Sequence, residues 1–205
     1  MTSIEEFAER VASSEPVPAG GSVAAVTAGL AAALVEMIAK IAAAKDKSGG
    51  TGLAQMVEQA HHLRERLLVL SDEDAKAYAA VLAARRDSTG GEAERDVRIR
   101  RAWRHAAQVP ADVVRLSREI AQLARRAARE GPPSTVGDAV MAALLAAAAA
   151  AGSHVNLRLN MEAAGRPEDV RVLANDTEVL LRDTQRAASE VRLLAEERLT
   201  AKRQV

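Results

Sequence analysis

The sequence predicts an all-α protein, a single-domain bundle of about six helices that covers residues 1–205. The chain contains only one Phe, one Trp and one Tyr. Its core must therefore be built from Ala, Leu, Val, Ile and Met, a composition that suits closely packed helices and is poor for sheets. Apolar residues also recur at helical spacing, and two long Ala-rich runs carry almost no charge. A chain of 205 residues is long enough to bury a sizeable core.

A turn with two prolines and two glycines separates the first two predicted helices. Ser3 and Glu6 form a capping box, which predicts a short first helix over residues 4–13. Pro16 and Pro18 prevent that helix from continuing, because proline lacks the backbone N–H that an α-helix needs.

The second helix is predicted to be the buried centre of the bundle. Between Ser22 and Val35 no side chain carries a charge, and a helix that is apolar all round belongs in a core. We expect Ser22 to cap the start of this helix, while Gly20 and Gly21 allow a neighbouring element to approach its backbone closely. The first turn is therefore a candidate anion site.

The third helix is predicted to begin near Thr51, after a charged and glycine-rich segment. Its apolar residues alternate steps of three and four and form one seam. The seam consists of Leu53, Met56, Ala60, Leu63, Leu67, Leu70, Asp74, Ala77, Val81 and Ala84. Asp74 is the only charged residue in it. A buried carboxylate must be paired, hydrogen-bonded or protonated, so Asp74 is either a structural acid bonded to a neighbouring helix or a functional group.

Asp72 lies four residues before Lys76, which is the spacing of a solvated ion pair.

Three further helices complete the predicted bundle. The fourth covers residues 92–129, and Pro110 inside it should kink it or split it in two. The fifth covers residues 134–162 and contains an entirely apolar segment at 139–151, which predicts a second buried helix. The last helix, residues 167–202, is apolar on one side and charged on the other, as is typical of an outer helix.

The fifth helix carries polar residues at both ends. Asp138 lies in its first turn, where the helix dipole favours an anion, so capping alone can explain it. At the other end, Asn156 and Asn160 share one stripe of the helix, and His154 and Arg158 lie on roughly the opposite face. Two asparagines one turn apart can read a flat heterocycle, or they can lock two helices together.

Composition and charge exclude several functions. Lys plus Arg and Asp plus Glu number 28 each, so no broad field attracts nucleic acid or an anionic membrane. The absence of Cys excludes disulfides and thiolate metal sites and fits a reducing cytoplasm. The histidines lack the spacing of a metal-binding helix, so no metal is predicted. The apolar runs at 22–35 and 139–153 are shorter than the ~18 to 20 residues of a membrane span, so no membrane is predicted as a partner.

Four segments together resemble the cyclodeaminase/cyclohydrolase family, in order and over nearly the whole chain. They are PVPAGGSVAA at 16–25, LSDEDAKAYAAVLAARR at 70–86, AAQVPADVVRL at 106–116 and GDAVMAALLAAAAAAGSHVNLRLN at 137–160. This family comprises the C-terminal domain of formiminotransferase-cyclodeaminase and the stand-alone bacterial methenyltetrahydrofolate cyclohydrolase. The resemblance implies an all-helical homodimer that acts on one-carbon derivatives of tetrahydrofolate and holds no tightly bound cofactor.

The resemblance also implies a set of functional residues. The matching positions are Gly20, Gly21 and Ser22 at the glycine-rich helix start, Asp72 and Asp74 in the acidic pair, and Asp138, Asn156, Arg158 and Asn160 in the late polar set. The chain departs from the family in two places. Ala19 stands where the family usually has a first glycine. The segment after the central helix keeps Lys45 and Lys47 but lacks the family's glycine and tyrosine.

On this basis we expect a methenyltetrahydrofolate cyclohydrolase, which opens 5,10-methenyltetrahydrofolate to 10-formyltetrahydrofolate in the cytoplasm. Asp74 is the expected acid or base, because burial raises the pKa of a carboxylate towards neutrality, and Asp138 is a second catalytic candidate. The two asparagines are expected to orient the pterin or the tetrahedral intermediate, and Arg158, Lys45 or Lys47 to meet the glutamate carboxylates of the folate.

Two alternatives stay open. The first is a formiminotetrahydrofolate cyclodeaminase, which cyclises the formimino form and releases ammonia. The cyclohydrolase is preferred to it on the expectation that the chain stands alone, without a transferase domain. The second is a helical folate-binding or scaffold dimer without turnover, which the altered segment at residues 44–52 favours.

Overall fold

A computed structural model of the protein describes residues 3–45 and 51–201. These residues form seven α-helices and one short 3₁₀ helix, and they contain no strand. The α-helices are α1 (Ile4–Ala12), α2 (Gly20–Lys45), α3 (Thr51–Arg86), α4 (Glu92–Ala106), α5 (Gln108–Glu130), α6 (Val136–Ala163) and α7 (Glu168–Ala201), and the 3₁₀ helix is Pro133–Thr135. The predicted all-α, single-domain bundle is confirmed.

The described part has one α-helix more than the predicted six because the predicted fourth helix is split in two. The break lies at Ala107, between α4 and α5. In a continuous α-helix the N–H of residue 110 would donate to the carbonyl of Ala106, but Pro110 has no N–H. The fourth predicted helix is therefore split, as Pro110 led us to expect, and the break lies three residues before this proline.

The centre of the bundle is α2, which packs against α3, α5 and α6. Much of its buried surface is alanine, and small side chains let neighbouring helix backbones come close. The seam predicted for the third helix faces this centre, and Met56, Leu67, Leu70 and Val81 on it are fully buried. The outer helix α7 covers α5 and α6.

The burial of α2 and α6 is one-sided, although the sequence predicted that these two helices would be buried all round. On α2, Leu30 is 49% exposed, and on α6, Met141, Leu144 and Leu159 are 51%, 48% and 61% exposed. Both helices supply the core with alanine on one side and leave larger apolar side chains facing outward on another. We call these exposed side chains of α2 and α6 the apolar face.

The same two helices bear on the membrane prediction. By length and composition alone, Gly20–Lys45 and Pro133–Ala163 could each cross a membrane, so the argument that these runs are too short was wrong. Core helices of soluble proteins pass the same test, however. Of the most apolar windows of Gly20–Lys45 and Pro133–Ala163, 61% and 39% are buried inside the bundle, and one or two such helices are only weak evidence for a membrane span.

Candidate active site

A cleft of about 370 Å³ opens at the N-terminal end of α2, between α2, α3, α4 and α6. It brings together residues that are far apart in the sequence. Its lining includes Gly20 and Gly21, Asp74, Tyr78, Trp103, and Asn156 and Asn160. Among the described residues that line it, Asp74 is the only one with an ionisable carboxylate or a formal charge at neutral pH. The cleft therefore combines one acid with neutral polar and aromatic groups.

Asp74 caps the start of α2, although it belongs to α3. The N–H groups in the first turn of an α-helix have no partner within the helix. The Ser22 hydroxyl lies 3.0 Å from Asp74 Oδ2, and the nearby backbone N–H of Ser22 also favours the ionised Asp74 carboxylate and lowers its pKa. The anion at this helix start is thus the side chain of Asp74, which also lies favourably at the positive end of the helix dipole.

Asp74 can approach α2 because residue 21 is glycine. A Cβ atom at Gly21 would overlap with both oxygens and the Cγ of the Asp74 carboxylate. The close approach that the sequence predicted for the two glycines is therefore present at Gly21. At Gly20 an added Cβ would make only an ordinary contact, 3.8 Å from Asn156 Nδ2.

Ser22 is not the N-cap that the sequence predicted. The helix begins two residues earlier, at Gly20, so Ser22 lies in its first turn and is fully buried. Its Oγ lies 3.0 Å from the Ser71 carbonyl and 3.0 Å from Asp74 Oδ2. A hydroxyl has a single proton, so it donates to one of these oxygens at a time. When Asp74 is ionised, Ser22 can donate to it. When Asp74 is protonated, Asp74 can donate to Ser22, and Ser22 to the Ser71 carbonyl.

The pKa of Asp74 is raised above its usual value. Burial of the carboxylate is the main cause and acts upward, while the hydrogen bonds from the Ser22 hydroxyl and N–H act downward without cancelling it. A carboxyl group whose pKa moves towards neutrality can serve as both acid and base in one reaction. Because Ser22 can hydrogen-bond both protonation states, the site needs little rearrangement when a proton moves.

The two asparagines of α6 have different roles. Asn160 Nδ2 donates to the carbonyl of Ala106 at 3.0 Å. This is the carbonyl that Pro110 leaves without a helical partner, so Asn160 locks α6 to the end of α4. Asn156 also lines the cleft, and its side chain forms no hydrogen bond with any described residue. Its amide is available to a ligand.

Two aromatic side chains form one wall of the cleft. The rings of Tyr78 on α3 and Trp103 on α4 pack edge to face, with centroids 5.8 Å apart. The guanidinium carbon of Arg85 lies 5.4 Å from the centroid of the Trp103 ring, within the range of a cation–π contact. Sequence reasoning missed Trp103 as a site residue. The available signal was the chain's only tryptophan, in a helix that otherwise consists mostly of charged residues.

Two of the predicted residues lie at the opposite end of the bundle. At about 1.5 Å per residue, Lys45 is about 37 Å along α2 from Gly20, and Asp138 is about 27 Å along α6 from Asn156. Neither residue can reach the cleft of its own chain.

Asp72 and Arg158 are also absent from the cleft lining, for other reasons. Asp72 is exposed and does not line the cleft. Arg158 lines a separate groove on the other side of α6, because it is two residues from Asn156 and so roughly half a helical turn away. Lys47 lies outside the described residues. Within the part of the chain that the structure describes, no three His, Asp or Glu side chains are grouped so that they could hold a metal ion.

Comparisons with known proteins found close similarity over most of the chain. The family model of formiminotransferase-cyclodeaminase matches residues 3–176. A methenyltetrahydrofolate cyclohydrolase from Methylorubrum extorquens is 32% identical over 162 residues, which are 77% of this chain and 78% of that protein. The formimidoyltransferase-cyclodeaminase of Mus musculus is 28% identical over 167 residues, which are 78% of this chain and 31% of the mouse protein.

A solved structure shares the fold. The crystal structure of formiminotetrahydrofolate cyclodeaminase from Thermotoga maritima matches with a TM-score of 0.83 and 26% sequence identity, and the match covers 96% of each chain.

Proposed function

The chain belongs to the formiminotransferase-cyclodeaminase family, and from this membership we propose that it is a methenyltetrahydrofolate cyclohydrolase, an enzyme of folate one-carbon metabolism. The observation that carries the proposal is the Asp74 carboxyl group, which has a raised pKa and lies in a cleft with otherwise neutral lining. The similarity to the Methylorubrum extorquens cyclohydrolase supports this choice of reaction.

In the proposed reaction Asp74 serves first as a base and then as an acid. Water attacks the cationic methenyl carbon between N5 and N10, and ionised Asp74 accepts a proton from that water. The resulting tetrahedral carbon carries a hydroxyl group. The bond from this carbon to N5 then breaks, N5 receives a proton from Asp74, and the hydroxyl loses its own proton as the formyl C=O forms on N10. One proton is released overall, and burial raises the pKa of Asp74 in the direction that favours its use as both base and acid.

The neutral groups of the cleft suit the uncharged parts of a folate. We propose that the free amide of Asn156 hydrogen-bonds the pterin or the tetrahedral intermediate, and that Tyr78 and Trp103 stack against an aromatic ring. Asn160 contributes by holding α4, and with it Trp103, against α6. Gly21 leaves room for the Asp74 carboxylate itself, and both Gly20 and Gly21 line the cleft beside it.

Arg85 is the proposed partner of the glutamate carboxylate of the folate. The sequence pointed to Arg158, Lys45 and Lys47 for this contact, but Lys45 and Arg158 lie away from the cleft and Lys47 is outside the described residues. Arg85 is exposed, lies over the Trp103 ring at the cleft wall, and forms no side-chain ion pair with any described residue. Arg85 does not itself line the cleft, but it contacts Trp103, which does, so we propose that it reaches the carboxylate from beside the cleft wall.

A cyclodeaminase reaction is the second candidate, and the similarity to the Thermotoga maritima structure favours it. Here N10 attacks the formimino carbon on N5, and the proton of N10 passes to the formimino nitrogen. Protonated Asp74 gives a second proton to this nitrogen, its bond to carbon breaks, and ammonia leaves the cationic methenyl product. The same acid in the same cleft serves either reaction, because both pass through a tetrahedral carbon between N5 and N10.

The test is a turnover assay of both reactions with wild-type protein, Asp74→Asn and the exposed control Asp176→Asn. Loss of 5,10-methenyltetrahydrofolate is followed by its near-ultraviolet absorbance against a no-enzyme control, and ammonia release is measured with the formimino compound. We expect the wild type and Asp176→Asn to accelerate hydrolysis and Asp74→Asn to lose about 100-fold or more. Ammonia release without hydrolysis would assign the deaminase. Folate binding without either reaction would support a non-catalytic binding protein.

We also propose a homodimer, assembled through the apolar face of α2 and α6. Exposed Leu and Met side chains on α2 and α6, two helices that pack against each other, are typical of protein interfaces. Leu159 belongs to this face and also lines the cleft, so a second copy on the face would lie next to the cleft. Asp138 is too far from its own cleft to act there, so its proposed catalytic role requires the cleft of the other subunit.

A cytoplasmic location and the absence of a tightly bound cofactor are part of the same proposal.

A further inference from the structure

A second groove, of about 440 Å³, lies between α6 and α7 on the side of α6 that faces away from the cleft. Its charged and titratable lining residues are His154, Arg158, Arg171, Glu178 and Arg182. Three guanidinium groups and one carboxylate give this lining a net positive charge, which favours an anion.

Arg158 is the cation in this groove that is available to a ligand. Arg171 lies 2.7 Å from Glu168, and Arg182 lies 3.4 Å from Glu178, so each of these arginines has a carboxylate partner. Arg158 forms no ion pair and no side-chain hydrogen bond with any described residue, and it is exposed.

The hydrogen bonds of His154 determine which of its ring nitrogens is free. His154 is 7% exposed, and its Nδ1 lies 3.2 Å from Thr177 Oγ1. Thr177 Oγ1 also lies 3.0 Å from the Ala174 carbonyl, which can only accept. Because a hydroxyl has one proton, both contacts are hydrogen bonds only if Thr177 donates to that carbonyl and accepts from His154 Nδ1. In the neutral ring Nε2 then has a free lone pair and is a hydrogen-bond acceptor.

The surroundings of His154 favour this neutral form. Burial and the charge of Arg158 lower its pKa, and Glu178 across the groove acts in the opposite direction without reversing the shift. Of the other charged groups that line the groove, Arg171 and Arg182 are also cations and add to the positive field. The groove thus offers a free guanidinium beside an imidazole that lacks one proton.

We propose that the groove between α6 and α7 is a second binding site, which takes inorganic phosphate or a phosphate monoester. Arg158 pairs with the phosphate oxygens, and His154 Nε2 shares one proton with them. A phosphate monoester exchanges its second proton at a pKa of about 6, close to the ordinary value of about 6.5 for histidine, so one proton can lie between the two groups. A fully ionised carboxylate or sulfate has no proton to share at neutral pH.

Calorimetric titration with inorganic phosphate tests this site without depending on folate turnover. We expect wild-type protein to bind phosphate at pH 7 and Arg158→Gln to bind it about tenfold more weakly, as for loss of one charge-assisted contact. Arg192→Gln, an exposed arginine of α7 outside the groove, is the matched control and should bind like the wild type. Circular dichroism of each variant verifies that it is folded.

Nuclear magnetic resonance of the histidine ring nitrogens provides the second readout. Phosphate should raise the apparent pKa of His154 and leave His61, His62 and His105 unchanged, because the bound anion draws a proton to Nε2. Absence of phosphate binding by the wild type, or full binding by Arg158→Gln, would overturn the proposal. Equal affinity for sulfate or for glutarate would overturn the assignment to phosphate.

Discussion

At the scale of single residues, the candidate site depends on the close approach of Gly21, Ser22 and Asp74. Because Gly21 has no side chain, the Asp74 carboxylate can lie against it. The Ser22 hydroxyl lies 3.0 Å from this carboxylate and can donate a hydrogen bond to it. None of these contacts is local in the chain, since α2 and α3 supply them from positions about fifty residues apart. The identity of residue 21 therefore controls the position of an acid on another helix.

We expect Gly21→Ala to displace Asp74 and to lower both stability and turnover. The new Cβ would overlap with the carboxylate, so Asp74 or the α2 backbone must shift at a cost of about 1–3 kcal/mol. Urea unfolding and the methenyltetrahydrofolate assay measure the two effects. Gly152→Ala is the control for stability, since an added Cβ there meets nothing within 4 Å. It should be neutral or stabilising by up to about 1 kcal/mol, because alanine favours helix more than glycine does. An unchanged wild-type rate in Gly21→Ala would contradict the proposed position of Asp74.

We expect Arg85→Gln to raise KM for a folate substrate about fivefold with little change in kcat. The exposed guanidinium should contribute about 1 kcal/mol to binding of the glutamate carboxylate and should not contact the reacting carbon. Arg86→Gln, which changes the adjacent exposed arginine, is the control. A substrate without the glutamate should show no difference between Arg85→Gln and the wild type. If it shows the same rise in KM, Arg85 acts by holding Trp103 and not by binding the glutamate.

At the scale of helices, two polar contacts define how neighbouring elements are aligned. Asn160 on α6 satisfies the Ala106 carbonyl at the α4–α5 break. Glu36 on α2 is buried, and its two oxygens accept from Lys40 Nζ at 2.6 Å and from Arg64 Nε on α3 at 2.9 Å. The Glu36–Arg64 contact joins α2 to α3 about four turns from Ser22 on α2 and about three turns from Asp74 on α3, so polar contacts join this helix pair at two levels.

We expect Glu36→Gln to destabilise the protein by about 1–3 kcal/mol at pH 7, because it removes the charge of a buried, paired carboxylate. Burial alone would raise the pKa of Glu36, but the hydrogen bonds and charges of Lys40 and Arg64 outweigh it and lower this pKa to about 2. The ordinary carboxyl pKa is 4.5, so the ionised group stabilises the folded state above pH 4.5, and this stabilisation is lost as the pH falls towards 2.

Urea unfolding over a range of pH measures this contribution. The difference between Glu36→Gln and the wild type should shrink as the pH falls below 4.5. Glu58→Gln, an exposed carboxylate of α3 whose side chain is 73% accessible, should change stability little at any pH. A Glu36→Gln difference that stays constant with pH would show that packing, and not charge, accounts for the loss.

At the scale of the whole molecule, the apolar face of α2 and α6 is a surface that one chain leaves uncovered. We expect the wild type to sediment as a dimer and Leu144→Glu to sediment as a folded monomer, because Leu144 is half-exposed in the middle of this face. Val97→Glu on α4 is the control, since Val97 is exposed outside the face. Analytical ultracentrifugation with circular dichroism measures assembly and folding together. A monomeric wild type would exclude the proposed dimer.

Mixing of two inactive variants tests whether Asp138 acts in the cleft of the other subunit. Asp74→Asn and Asp138→Asn each damage every site of their own homodimer. A mixed dimer has one site with both wild-type residues, so unfolding and refolding the two variants together should restore about a quarter of the wild-type rate. Recovery of no activity, with mixed dimers demonstrated by a tag on one variant, would remove Asp138 from the site.

The sequence by itself determined the helices and several of the site residues. Prolines, glycines, capping residues and apolar spacing act within a few residues, so they predicted the helix bounds closely, the split near Pro110 and the seam that contains Asp74. The residues themselves also drew attention to the two glycines and the two asparagines, and the resemblance matched these positions to functional residues of the family. Gly21, Asp74, Asn156 and Asn160, which were predicted as site residues, all line one cleft.

Only the tertiary structure decided which of the matching residues lie together. Lys45 and Asp138 are separated from the cleft by most of the length of a helix. Arg158 points to the other side of α6. Trp103 lines the cleft, although the local sequence of its helix is dominated by charge. The sequence also predicted that α2 and α6 would be buried on all sides. This was wrong because apolar composition does not show which face of a helix its neighbours cover. Contacts between helices depend on register and packing angle, which arise from all the side chains at the contact and not from any local pattern.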